Sequence, residues 1–218
     1  MTGWKLNAPE LRGTLRTGYE LDEAVREALE QDGDISGYHF ADCELRDVSG
    51  RTLEFSGCVF ERCAFGELDL GRISFVDCRF EKCELSNVRL SNATFQRAAF
   101  KACRMTGMEC LRGLLMSASF EGCMMDYVSW SETRLDRVEF VDCRMRESLW
   151  ADVKLPKARL ERTDLTRAQW MRTPLAGMDV STCLIGGWNI SLFDLRGVKV
   201  TAAQVIELSG LLGVEIVS

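Results

Sequence analysis

The chain has 218 residues, 46% of them hydrophobic, and its 27 basic and 33 acidic side chains leave a net charge of −6. That balance argues against direct binding of nucleic acid, and no apolar stretch is long enough to cross a bilayer. Residues 1–30 lack the basic and apolar blocks of an export signal, so the ten cysteines read as reduced thiols of a cytoplasmic protein rather than a disulfide framework.

The acidic excess sits at the start of the chain, where residues 1–34 carry 8 acidic and 4 basic groups. Leu21, Ala24, Val25, Ala28 and Leu29 recur at helical spacing. Glu20, Asp22 and Glu23 lie where a helix dipole favours anions, and Gly33 can stop the helix. This predicts a short amphipathic cap helix over residues 21–31. Residues 1–18 either lie along the body of the protein or have no fixed structure.

From Ile35 to Val200 every fifth residue is apolar in one phase, and of these 34 positions only Gly50 departs from the pattern. A period of five fits neither a helix nor a flat strand. It implies a backbone that turns a corner every five residues and points one kind of side chain inward each time. The residue two before each anchor is apolar at 28 of 34 positions and mostly small, while the other three positions are mostly polar. A second period of twenty stacks like on like. One column reads Phe40, Phe60, Phe80, Phe100, Phe120, Phe140; others hold Trp130, Trp150, Trp170 and Met105, Met125, Met145. Four units therefore make one coil. About eight coils at the ~4.8 Å strand spacing give a rod on the order of 40 Å long, an all-β solenoid.

At the other end, Thr201-Ala202-Ala203-Gln204 is a capping-box pattern that opens a helix. Val205, Leu208, Leu211 and Leu212 supply its apolar face, and Val214-Glu215-Ile216-Val217 reads as an extended tail. The inward small positions become bulky near the ends, at Tyr38, Trp188 and Phe193, where larger side chains would fill the open core. The chain thus divides into an extension and cap helix (1–34), a repeat region (35–200) and a C-terminal capping or dimerisation helix and tail (201–218).

Units such as Phe75-Val76-Asp77-Cys78-Arg79-Phe80 and Leu160-Glu161-Arg162-Thr163-Asp164-Leu165 resemble the pentapeptide-repeat family. The resemblance implies a right-handed quadrilateral parallel β-helix. Leu195-Arg196-Gly197-Val198-Lys199-Val200, followed by Gln204, Leu208, Gly213, Val214 and Ile216, is similar to the C-terminus of its quinolone-resistance, gyrase-protecting branch. That similarity implies a head-to-head homodimer through Trp188, Phe193, Val205, Leu208, Leu211, Leu212, Val214 and Ile216. The alternative is a tail that caps a monomer.

Chemistry-bearing residues are few. Nine cysteines sit two before an anchor: Cys43, Cys58, Cys63, Cys78, Cys83, Cys103, Cys123, Cys143 and Cys183. With no C-x-x-C pair and a single histidine, they read as small core residues, not metal ligands. His39 falls at an outward, solvated position, and the tryptophans are inward anchors. No phosphate-binding glycine loop occurs. Residues 144–172 carry eight basic and four acidic side chains, an excess that reads first as a solvated, ion-paired surface. No catalytic, cofactor or metal residue is expected. Two functions remain: a DNA-mimicking rod that binds DNA gyrase or another topoisomerase, implied by the resemblance, and a general protein-interaction scaffold of unknown partner. The neutral repeat region lends the first little support, because a DNA mimic needs an acidic surface.

Overall fold

The computed structural model describes residues 4–31, 33–45, 52–66, 69–70 and 72–214. Strands pair in parallel with the strand twenty residues on: Phe55 faces Phe75, Phe95 faces Leu115, and Trp130 faces Trp150. The chain winds as a four-sided parallel β-solenoid. One face begins at Ile35–Ser36 and continues through Leu53–Ser56, Ile73–Val76 and the first halves of four longer strands, Thr94–Lys101, Leu114–Glu121, Arg134–Val141 and Lys154–Glu161. The second face holds His39–Ala41, Val59–Glu61, Arg79–Glu81 and the second halves of those strands. The third is Glu44–Leu45 and Ala64–Phe65, followed by single bridges from Glu84 to Leu184. The fourth runs from Asp69–Leu70 to Asn189–Ile190.

The five-residue period comes from the corners. The residue two after an anchor takes a left-handed conformation, as at Arg62 (φ 53°), Asp77 (φ 55°) and Tyr127 (φ 59°). For an L-residue that conformation costs about 1–2 kcal/mol. It is held by a hydrogen bond from the corner N–H to the next coil, such as Asp77 N to Gln96 O at 2.9 Å.

Inside, the anchors stack. The rings of Phe60, Phe80, Phe100, Phe120 and Phe140 lie 4.5–4.8 Å apart and within 10° of parallel. Phe40 continues the column, and Trp130, Trp150 and Trp170 form a second buried one. The small inward positions do more than fill space. Cys63 Sγ donates to Phe40 O (3.4 Å) and Cys103 Sγ to Phe80 O (3.5 Å), and Thr163 Oγ1 donates to Phe140 O (3.2 Å) in the same column. A thiol and a hydroxyl are thus interchangeable there as donors to a buried carbonyl. All ten cysteines are buried and unpaired, and desolvation pushes the Cys110 thiol up to about 11.

Helices close both ends. Helix α1 (Leu21–Gln31) buries Leu21, Ala24 and Val25 beneath the first coil. Helix α2 (Ala202–Leu208) opens with the reciprocal Thr201–Gln204 capping box and buries Leu208. Gln204 also donates from Nε2 to Val180 O (2.9 Å), which already accepts from Cys183 N, and to Cys183 O (2.8 Å), tying the cap to the last coil.

The register departs from its sequence form in three places. The strand ladders run about seven turns deep rather than eight, because the chain from Pro174 to Val200 passes mostly through turns. At Pro156 the pairing of Arg134–Val141 with Lys154–Glu161 shifts. Lys154 N still bonds Thr133 O, but Pro156 has no N–H to give the ladder, and Leu155 is left only half-buried. At residues 193–194 the phase slips locally, and Leu195, Val198 and Val200 then face the core again. Ser191 Oγ bonds Asp194 Oδ2 (2.8 Å), and Leu195 N bonds Ser191 O (3.0 Å). This turn buries Asp194 and throws Phe193 outward to 71% exposure, so Phe193 does not fill the core. Gly50 and the tail residues Glu215, Ile216 and Val217 lie outside the described residues.

Gly113 occupies a small inward position where a Cβ would lie 2.4 Å from Cys110 Sγ. Gly113→Ala is expected to cost about 1–3 kcal/mol by overpacking, and Cys110→Ala to recover part of it, read from urea denaturation. Gln204→Leu leaves the Cys183 carbonyl without its partner and removes the side-chain half of the capping box, while Thr201 Oγ1 still accepts from the backbone N of residue 204. It should cost about 2 kcal/mol or more and lower the melting temperature.

Candidate interaction surface

With the core filled, any site lies on the outer surface or at the ends. At several corners, oppositely charged residues twenty apart meet. Arg62 reaches Asp42 at 2.6 Å, Arg97 reaches Asp77 at 2.5 Å, Arg162 reaches Asp142 at 2.7 Å and Arg172 reaches Asp152 at 2.5 Å. Arg62 and Arg162 each also hold the glutamate that precedes them in the chain, Glu61 and Glu161. Each guanidinium keeps its aspartate below the ordinary carboxylate range. The spacing of twenty between opposite charges was readable in the sequence, though composition by segment conceals it.

Much of the basic segment is also ion-paired, in part between residues eighteen apart. Arg144 pairs with Asp126 (2.6 Å), Arg146 with Asp164 (2.6 Å), Arg159 with Glu139 (3.2 Å) and Arg167 with Glu147 (3.8 Å). Shallow clefts mark the outside. One, about 460 Å³, lies between Arg159, Leu160, Gly177, Asp179 and Lys199. One of about 430 Å³ lies under Met171, Pro174 and Phe193, and one of about 290 Å³ beside Arg146, Asp164 and Leu184. His39 is half-buried rather than solvated. Its ring nitrogen lies 3.2 Å from Glu61 Oε2, so its neighbour is a carboxylate and not a nucleophile. Among the described residues no helix is long and apolar enough to cross a membrane.

The C-terminal end splits the residues expected at an interface. Trp188 is buried, its Nε1 donating to Leu165 O at 3.0 Å, and Leu208 is buried beneath α2. Leu211 packs partly against the core. Phe193, Val205, Leu212 and Val214 are exposed, and Ile216 lies outside the described residues. Leu192 and Ile206 are exposed as well and went unremarked in the sequence. Leu192 looks like an ordinary outward residue until the turn at Ser191 is known.

A protein-family model described as a pentapeptide repeat region matches residues 53–117 and 94–170. No curated protein sequence matches the chain. Among solved structures, a trypsin-treated form of QnrB1, a plasmid-mediated fluoroquinolone resistance protein, is 17% identical with a TM-score of 0.46, covering 85% of this chain and 100% of that one. HetL, a pentapeptide repeat protein involved in heterocyst differentiation regulation from the cyanobacterium Nostoc sp. Strain PCC 7120, is 13% identical with a TM-score of 0.40, covering 84% of this chain and 95% of that one.

The corner pairs predict an acid limb in stability. A carboxyl whose folded pKa is depressed contributes stability above its unfolded pKa of about 3.9 and loses it as pH falls through the folded value. The denaturation midpoint should therefore hold from pH 7 to about pH 5 and drop below about pH 4. Arg97→Gln, which frees Asp77, should shrink that drop. An unchanged acid limb in this variant would refute the assignment.

Proposed function

The chain belongs to the pentapeptide repeat family, and from that premise we propose that it is a non-enzymatic binding rod, a scaffold that engages a protein partner through its outer surface and its C-terminal end. The observation that carries this reading is the distribution of material. Stacked side chains occupy the axis, the polar groups of the corners are spent on one another, and the accessible apolar area gathers around Phe193, Val205, Ile206, Leu212 and Val214. Catalysis would want a concave site with convergent, oriented groups, whereas the clefts here are shallow and lined by ion-paired side chains. The reading includes a reducing, cytoplasmic setting, which suits ten unpaired thiols.

The C-terminal end is the part of this proposal that concerns self-association. Exposed Phe193, Val205, Leu212 and Val214 favour a homodimer with the cap helices at the centre, since apolar area of this kind marks an interface. Sedimentation should give a dimer for the native chain and a folded monomer for Phe193→Glu combined with Leu212→Glu. A monomeric native chain at tens of micromolar would remove the dimer from the proposal.

The narrower reading, a DNA-mimicking rod that binds gyrase, would need a continuous acidic stripe. Columns in which Asp42, Asp77, Asp142 and Asp152 are each matched by an arginine supply none over the described residues, which favours the general scaffold. Gyrase supercoiling, with and without a fluoroquinolone, is expected to be unchanged by micromolar protein. Inhibition or protection at that concentration would reverse the preference.

A further inference from the structure

Residues 4–16 run lengthwise over the rod, against the order of its coils. Trp4 lies over the Arg159 guanidinium (5.6 Å), Glu10 N donates to Asp77 Oδ1 (2.9 Å), and Arg16 bridges to Tyr38, with Arg16 N on Gly37 O and His39 N on Arg16 O, both 2.8 Å. Six coils separate Tyr38 from Arg159, about 29 Å at the strand spacing, a distance that twelve extended residues span with slack. The segment half-buries Trp4, Leu6, Pro9, Leu11 and Leu15.

The corner beneath this strap differs from the others. Its ladder of Asp77 and Arg97 has side chains only 16% and 25% exposed, and Ser117 of the same column is 2% exposed. In the ladders of two other corners the equivalent pairs are 64% and 45% (Asp42, Arg62), 52% each (Asp142, Arg162) and 41% and 66% (Asp152, Arg172). Charges match across the contact, Arg12 acting on Asp77 and Glu10 on Arg97. Yet the attachment is thin. Among the described residues, one backbone hydrogen bond ties residues 4–15 to the rod, while the rod's own strands bond at every turn. The groove also outlasts the strap, because Arg159 is shared with the 460 Å³ cleft that extends to Gly177 and Lys199.

We propose that this corner is a binding groove for an extended peptide, and that the N-terminal strap is its built-in, displaceable occupant. The partner is a segment of another protein with the strap's chemistry: apolar side chains spaced as Trp4, Leu6, Leu11 and Leu15, and a free backbone N–H for Asp77. Such a segment competes with the strap, so binding is autoinhibited. This deepens the scaffold reading by giving it a site. It can fail alone, since a rod whose strap never leaves still binds through its other faces.

The test places a specific protease site between Gly18 and Tyr19 of the full chain, cut after purification, with a fluorescein-labelled peptide of residues 4–18 as the probe. The cut, washed rod is expected to bind the probe with micromolar Kd, the intact chain at least tenfold more weakly, and the cut Asp77→Ala rod at least fivefold more weakly than the cut native rod. Equal binding to cut and intact chains, or no binding to a cut rod with unchanged circular dichroism, overturns the proposal. If cutting unfolds the rod, hydrogen exchange on the intact chain decides. The Glu10 amide, held by Asp77, exchanging well before those of Thr94–Lys101 and Leu114–Glu121 supports a strap that lifts off by itself, and exchange as slow as those strands refutes it.

Discussion

In-register pairing at a separation of twenty residues is the constraint on which the molecule rests. It sets each side chain against its own counterpart one coil away, so every column must be compatible with itself. Apolar columns satisfy this with identical residues: phenylalanine on phenylalanine at 4.5–4.8 Å, tryptophan on tryptophan. Charged columns are less uniform, because like charges directly opposite repel. Opposite signs meet from Asp42 to Arg62 and Asp142 to Arg162 along one corner and from Asp77 to Arg97 along another, although Glu61 still stands opposite Glu81. Polar inward positions are allowed where a hydroxyl or thiol reaches the carbonyl of the coil before, which explains why Thr163 can follow Cys143 in one column.

Much of this was legible without coordinates, because a solenoid writes its geometry into the period. The anchors, the four-unit coil, the helix over residues 21–31 and the Thr201 cap all follow from local spacing, and the structure has each of them. What escaped depends on single residues overriding the period. Pro156 lacks one N–H and shifts a strand pairing. Ser191 and Asp194 prefer each other to the ladder, and their turn exchanges a phenylalanine for a carboxylate in the core. A periodicity count sees Phe193 and Asp194 in their expected slots and has no means of weighing a local hydrogen-bonded turn against it. The path of residues 4–16 was illegible for another reason. It follows no repeat, and it depends on partners such as Asp77 and Arg159 that are distant in sequence.

The neutral ladders also say what kind of recognition the surface supports. Exposed ion pairs already satisfied within one molecule give little net energy and little long-range field, so they neither steer a charged partner nor anchor it. Affinity must come from desolvated apolar area and from backbone groups in a shaped groove. On this chain those properties concentrate in two places, the C-terminal end and the corner under the strap.

The two helical caps make those places unequal. Helix α1 turns Leu21, Ala24 and Val25 onto the first coil and leaves charged residues outside, so the N-terminal end is finished. Helix α2 buries Gln204 and Leu208 but leaves Val205 and Ile206 exposed beside Leu212. A cap built only to close a rod would carry polar residues there, since an apolar end face invites stacking of one rod on another. In the dimer proposed above, this asymmetry would confine the contact to the C-terminal end. The strap enters at the opposite end, beside Tyr38, so its attachment to the chain lies away from that contact even though its groove runs on toward Lys199.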